Sequence, residues 1–156
     1  MPAGERGEIV MRGPKVFKGY WRDPEATAAA FAGGWFHTGD IGVRDDDGYL
    51  YIVDRFKDMI VSGGENIASS EIERVLYEHD AVLEAAVVAR PDERWGEVPV
   101  AYVVLRHDAA ATGNALLAHC RSQLARFKVP KEIVFLSALP RNPSGKVLKR
   151  ELRAGH

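Results

Sequence analysis

A lysine that ends a turn-rich run with no carboxylate beside it is placed to meet an anion, and Lys146 occupies that position in Pro140-Arg141-Asn142-Pro143-Ser144-Gly145-Lys146. Proline presets φ, glycine admits a positive φ and Ser144 can bond its own backbone, so the run should form a defined loop with Lys146 at its tip. Taken alone, the segment also fits a solvated surface lysine. In Thr38-Gly39-Asp40 the glycine lets backbone approach a ligand, and the carboxylate offers two acceptor oxygens that suit the vicinal diol of a ribose. A turn closed by an Asx bond is the plainer reading of that tripeptide. Asp54-Arg55-Phe56-Lys57-Asp58 brings a planar guanidinium and a mobile ammonium into one turn: Arg55 can donate to ribose or phosphate oxygens and Lys57 can act as a pivot, or the segment is a solvated linker. Gly63-Gly64 either lets a thin ligand pass close to the backbone or simply turns the chain.

Other chemistries lack their residues. The chain has no G-x-x-x-x-G-K-[ST] or G-x-G-x-x-G phosphate loop, no C-x-x-C and no H-E-x-x-H. His37, His79, His107, His119 and His156 are scattered without ligand spacing, so no metal site is expected, and no Ser/His/Asp set is visible. Cys120, the lone cysteine, falls on the apolar face of a predicted helix and reads as core, and His119 reads as a surface or boundary residue. The formal net charge of −1 hides a basic lobe: from Arg121 to Arg153, nine cations meet only Glu132 and Glu151. Stacking aromatics are nearly absent there, with Phe127 and Phe135 assigned to the core, so nucleic acid fits less well than a small polyphosphate.

The elements that must position these residues follow from length and pattern. At 156 residues, 46% apolar and 28% charged, the chain can bury a core as one domain or two small ones. No apolar run approaches the roughly 20 residues that span a bilayer, and Met1 to Gly7 lacks the order of a signal peptide, which points to a cytoplasmic protein. Glu8 to Met11 reads as a strand, and Asp23-Pro24 opens a helix through Phe31 that Gly33-Gly34 stops. Asp45-Asp46-Asp47-Gly48 is a turn before the strand Tyr49 to Val53, which together predict a hairpin. Beyond a boundary at 54–58, Ser70 and Glu73 form the pattern of a capping box for a helix through Glu78 whose inner face is Ile72, Val75 and Leu76. Strands are predicted at 84–89, 98–105 and 132–136, with Pro99 marking a strand edge, and a helix at 114–126 carries Leu117, Cys120, Leu124 and Phe127 inward. The fold class is therefore α+β: a small three-stranded sheet with helices packed against it, preceded by a β-rich subdomain.

Trp35 to Asp40, Gly48 to Ile60, Gly63-Gly64-Glu65-Asn66-Ile67 and Pro140 to Lys146 occur in the order and spacing of the adenylate-forming superfamily, and more narrowly the chain resembles a fatty-acyl-CoA synthetase from about Glu5 to Leu152. The resemblance implies activation of a carboxylic acid with ATP to an acyl-adenylate, then acyl transfer to coenzyme A. It assigns Lys146 to bridging carboxylate and α-phosphate, Asp40 to the ribose hydroxyls, Arg55 to the nucleotide, Lys57 to a hinge, and Gly63 and Gly64 to the pantetheine path. Val61 and Gly63 stand where luciferase- and coumarate-ligase-like members often carry lysine, so those charged contacts are not carried over.

Only the C-terminal portion of the superfamily pattern is present. The resemblance places residues 1–54 at the β-rich end of an N-terminal adenylation domain, residues 55–58 at the hinge and residues 59–156 in a mobile C-terminal domain. The phosphate loop, acyl pocket, adenine site and the glutamate expected to hold Mg2+ would belong to the missing N-terminal domain. Three readings follow: a ligase fragment inactive alone, a complementing subunit of a split enzyme, or a non-catalytic nucleotide- or protein-binding module.

Overall fold

The computed structural model describes residues 2–154; Met1, the start of the stretch read for a signal peptide, and His156, one of the scattered histidines, lie outside them. The chain divides into two units, Met1–Lys57 and Asp58–His156. In the first, β1 (Arg6–Met11), α1 (Pro24–Ala30), β2 (Phe36–Arg44) and β3 (Leu50–Arg55) build an antiparallel sheet in the order β1-β2-β3. Asp23 caps α1 by accepting the Ala26 N–H at 2.9 Å, and Pro24 needs no donor in the first turn. The predicted hairpin joins β2 to β3: Asp45 accepts the Tyr49 N–H through Oδ1 at 2.8 Å and the Gly48 N–H through its carbonyl at 3.1 Å. Thr38-Gly39-Asp40 departs from expectation. It lies inside β2, at a bulge where the register with β1 slips between Glu8 and Val10 and Gly39 takes φ 71°. Phe17, Phe31 and Phe36 form a small aromatic cluster, whereas Trp21 and Ile52 stay 86% and 69% exposed.

A 3₁₀ turn, Phe56–Asp58, follows β3. The second unit then runs β4 (Ile60–Ser62), β5 (Glu65–Ile67), α2 (Ser69–Tyr77), β6 (Val82–Asp92), β7 (Gly96–Leu105), α3 (Gly113–Gln123), β8 (Glu132–Phe135) and α4 (Lys149–Ala154). The three predicted strands are present, but the sheet has five: β5-β4-β7-β6, with β8 pairing parallel to β7. The alternating faces of β6 and β7 are both buried. Val87, Ala101 and Val103 pack with Ile72, Leu76, Leu116 and Cys120 of α2 and α3, while Val88, Val100 and Tyr102 pack with Leu139 and Leu152 on the opposite face. Burial on both sides explains why these strands read as unbroken apolar runs.

Several side chains sit differently from the sequence reading. Pro99 is inside β7, the strand with neighbours on both sides, and its carbonyl accepts the Lys131 N–H at 2.8 Å. A residue's N–H and C=O point the same way in a strand, so the missing donor faces the stretch where β7 exchanges β4, paired at Gly96, for β8, paired from Val100. Leu116 is fully buried in α3, while Phe127 and Phe135 are 45% and 41% exposed, because α3 ends at Gln123 and β8 presents Phe135 outward. Cys120 is buried as expected, and burial pushes its thiol up to about 11, which keeps it protonated.

The capping box is replaced by a different device. Helix α2 starts two residues earlier, with Ala68 instead of Ser70 at its N-cap and no side-chain cap bond. Glu73 reaches across the unit instead, accepting the Val87 N–H at 2.8 Å and pairing with Lys149 at 2.7 Å. Lys149 also donates to Ser69, Arg153 pairs with nearly buried Asp58 at 2.6 Å, and Tyr102 donates to the Leu152 carbonyl at 2.9 Å, so α4 is tied to α2, to the sheet and to the first residue of the unit. Glu73→Ala should therefore cost about 2 kcal/mol in urea unfolding, the range for a hydrogen bond to a charged group. It should also speed amide exchange at Val87. Unchanged exchange at Val87 would argue against the tether.

Candidate functional site

Asp40 and Arg55 are direct partners across the β2–β3 ladder, and Arg55 Nε donates to Asp40 Oδ1 at 3.0 Å. Both remain partly open, with side chains 29% and 49% exposed. The pairing occupies one carboxylate oxygen and one donor of the guanidinium fork, so the pair can orient itself and still offer groups to a polyhydroxyl or phosphate ligand. Behind Asp40 the bulge is pinned: Thr38 Oγ1 donates to the Ile9 carbonyl at 2.8 Å and accepts the Asp40 N–H at 3.0 Å. Lys57 lies two residues past Arg55, in the 3₁₀ turn at the end of the first unit.

The loop before Lys146 is defined, as expected, with a positive φ at Gly145, but Ser144 bonds the Asn142 side chain and not its own backbone. Asn142 Oδ1 accepts both the Ser144 hydroxyl and the Lys146 N–H at 2.8 Å; the Asn142 and Gly145 backbones close the turn at 2.9 Å, with Gly145 at φ 83°. Arg141 clasps it, donating to the Gly145 carbonyl at 2.6 Å and pairing with Glu84 of β6. Lys146 is exposed at the tip, and no ion pair to its ammonium is found among the described residues. Its neighbours differ. Arg141, Lys149, Arg153 and Lys128 are each neutralised, by Glu84, Glu73, Asp58 and Glu71. Four of the nine cations of the basic lobe read from the sequence are therefore compensated in space by carboxylates from earlier elements.

Gly63 and Gly64 form the tight turn between β4 and β5, at φ 58° and 86°. The Gly63 N–H donates to the Trp95 carbonyl at 2.8 Å, and a Cβ on Gly63 would lie 2.8 Å from the Trp95 ring. Gly63 lines an open groove of about 690 Å³ with Arg94, Trp95, Arg126, Phe127 and Lys131. Gly64 is not among the groove's lining residues; it has open space where a Cβ would stand and turns the chain into β5. The groove combines aromatic faces with three cations and one carboxylate, Glu65, and this excess of positive charge suits an anion that carries a flat ring. Sequence reasoning missed Arg94, Trp95 and Phe127 as site residues. Only Arg126 and Lys131 were visible, as part of the basic lobe.

Gly63→Ala should strain a left-handed position and displace the indole, costing roughly 1–3 kcal/mol. The expected readout is a shifted Trp95 fluorescence together with a lower urea midpoint. An alanine variant with the wild-type midpoint and spectrum would contradict this contact. Among the described residues no cluster of three or more His, Cys, Asp or Glu side chains could hold a metal, and no helix is long and apolar enough to cross a membrane.

Residues 71–146 match the AMP-binding enzyme C-terminal domain. A 2-succinylbenzoate–CoA ligase of Geobacillus kaustophilus is 54% identical over 149 residues, covering 96% of this chain and 30% of that protein. A feruloyl-CoA synthase of Amycolatopsis is 52% identical over 153 residues, covering 98% and 31%. The ATP-bound structure of MatB from Rhodopseudomonas palustris superposes with a TM-score of 0.93 at 42% identity, covering 99% of this chain and 31% of that one. The chain thus spans somewhat under a third of the length of its relatives. It carries an AMP-binding enzyme C-terminal domain and belongs to the adenylate-forming superfamily, aligning with the C-terminal portion of relatives that are CoA ligases.

Proposed function

We propose that this chain is the C-terminal part of an ATP-dependent acid–thiol ligase that converts a carboxylic acid to its acyl-adenylate and then to the coenzyme A thioester. The observation that carries the reading is the setting of Lys146 within the 141–153 segment: Arg141, Lys149 and Arg153 are paired, no ion pair among the described residues reaches Arg150 or Lys146, and of these two Lys146 is the one pinned by its backbone N–H at the tip of a closed turn. Attack of a carboxylate on the α-phosphorus brings two anions together as pyrophosphate leaves, and charge spreads over the equatorial oxygens. An ammonium preorganised between them offsets that repulsion without having to abandon a protein partner.

Asp40 accepts the ribose hydroxyls and Arg55 donates to the nucleotide, each orienting the other through their 3.0 Å contact. The groove beside Gly63 takes coenzyme A, with the pantetheine arm passing the glycine turn and the phosphorylated nucleotide end near Arg94, Arg126 and Lys131; its volume and mix of aromatic and cationic walls support this. Activation needs Lys146 at the reacting carboxylate, whereas thioester formation needs that centre open to a thiol. One position of the C-terminal domain cannot serve both, and Lys57, in the turn where the first unit ends, is the pivot. Mg2+ would be held by the N-terminal domain.

The acid is left open by this part of the ligase. Fatty acids are the class the sequence resemblance suggests, while 2-succinylbenzoate and feruloyl stand in the names of close relatives. In the ligase carrying this chain, Lys146→Ala should lower the rate of adenylate formation about 100- to 1000-fold. Thioester formation from supplied acyl-adenylate should be nearly unchanged, and equal losses in the two half-reactions would sink the assignment. Lys57→Pro should slow thioester formation more than adenylation. Wild-type rates in both steps would remove Lys57 as pivot.

A further inference from the structure

We infer that Glu8 and His37 are positioning residues for Asp40: together they lock the 38–40 bulge in the form that presents the carboxylate to a nucleotide, and the lock is complete only when His37 is an imidazolium. The inference rests on the proposed role of Asp40 in holding ribose.

The bulge creates the need. Where the β1–β2 register slips, residues 38–40 stand beside Ile9 and the ladder bonds of a regular strand pair are interrupted. The Glu8 carboxylate takes over one of them, accepting the Gly39 N–H through Oε1 at 3.1 Å. Its other oxygen, Oε2, meets His37 Nδ1 at 2.7 Å, and His37 Nε2 meets the Ala32 carbonyl at 3.2 Å. A carbonyl oxygen accepts only, and so does an ionised carboxylate. Neutral imidazole has a single N–H and can satisfy one of the two contacts; imidazolium satisfies both. His37 therefore links the Ala32–Gly34 turn to Glu8, and Glu8 links β1 to the residue before Asp40.

The charged groups on the elements packed against β2 are Arg6 and Glu8 on β1, Glu25 on α1, and Asp54 and Arg55 on β3. Glu8 is the one that faces the imidazole, and Arg55 is engaged with Asp40. The bond to Glu8 first, and then the Ala32 carbonyl, raise the His37 pKa above its ordinary 6.5. The bond from His37 first, with help from the Gly39 N–H, lowers the Glu8 pKa below its ordinary 4.5. A raised histidine stabilises the folded form below its unfolded value and loses that contribution as pH climbs through the folded one. A lowered carboxylate contributes above its unfolded value and loses it as pH falls through the folded one. The lock is whole between pH 4.5 and 6.5 and fades as pH rises through the elevated His37 value.

An NMR titration of the chain from pH 5 to pH 9, approximate limits that bracket the ordinary range of histidine, tests the lock without any variant. The His37 ring protons and the Gly39 amide should titrate together with one midpoint above 6.5. A Gly39 amide that ignores His37 ionisation overturns the inference. In Glu8→Gln the His37 midpoint should fall, and in the ligase carrying this chain KM for ATP should rise about tenfold, the scale of one charge-assisted bond. The pH dependence of that KM above the His37 midpoint should flatten, which a merely structural role would not produce. Asp40→Asn is the control for the underlying reading. If it leaves KM for ATP unchanged, the ribose role fails; if it raises KM while Glu8→Gln does not, the positioning inference alone fails.

Discussion

The architecture of the second unit around the 142–146 turn depends on three ion pairs, which engage Arg141, Lys149 and Arg153 and leave the lysine at the tip without one among the described residues. Glu84, Glu73 and Asp58 come from a strand, a helix and the residue that opens the unit, and each reaches a different cation of the 141–153 segment. These bonds fix α4, and α4 with Arg141 fixes the turn. A loop outside the regular elements would otherwise be mobile, and a lysine on it would sample many positions. Breaking such a pair leaves a partly buried charge without compensation, costing more than the pair gains as a whole. The pairing therefore acts chiefly on geometry. It holds the backbone of Lys146 while leaving its ammonium available to an anionic ligand.

The main lines of the fold were legible because the strongest elements carry the strongest patterns. Residues 84–89 and 98–105 lie in strands buried on both faces, so they appear as apolar runs, and Asp23-Pro24 and Asp45 to Gly48 are local signals that need no tertiary context. β4 and β5 escaped notice because three residues are too few to show a period. Pro99 misled for a physical reason: a proline is excluded from a paired strand only where its missing donor faces a partner, and a change of partner is invisible in sequence. Ser70 and Glu73 fit the capping pattern, but a carboxylate at that spacing can also reach outward, and a buried strand amide together with Lys149 proved the better partners.

The candidate sites divide along the same line. The Lys146 loop was readable because its turn chemistry is local, and its exposed, unpaired tip agrees with that reading. Asp40 and Arg55 could be named singly, while their 3.0 Å contact is set by strand register and could not. The groove at Gly63 draws Trp95 from the β6–β7 turn and Arg126 and Phe127 from the turn after α3, segments separated in sequence by most of a domain. Assigning Phe127 to the core followed from extending α3 too far: the helix stops at Gln123, and the following turn shows the ring to solvent.

In the proposed function this chain supplies the mobile cation of a carboxylate-activating site whose remaining parts lie elsewhere in the ligase. Acid-dependent exchange of labelled pyrophosphate into ATP tests it most directly, measured with the chain alone and with the chain combined with a matching N-terminal adenylation domain, which also serves as its own control. The chain alone should give no exchange, and combination should restore exchange well above that of the N-terminal domain by itself. Robust exchange by the isolated chain, or an N-terminal domain whose exchange gains nothing from it, would rule out that role for Lys146.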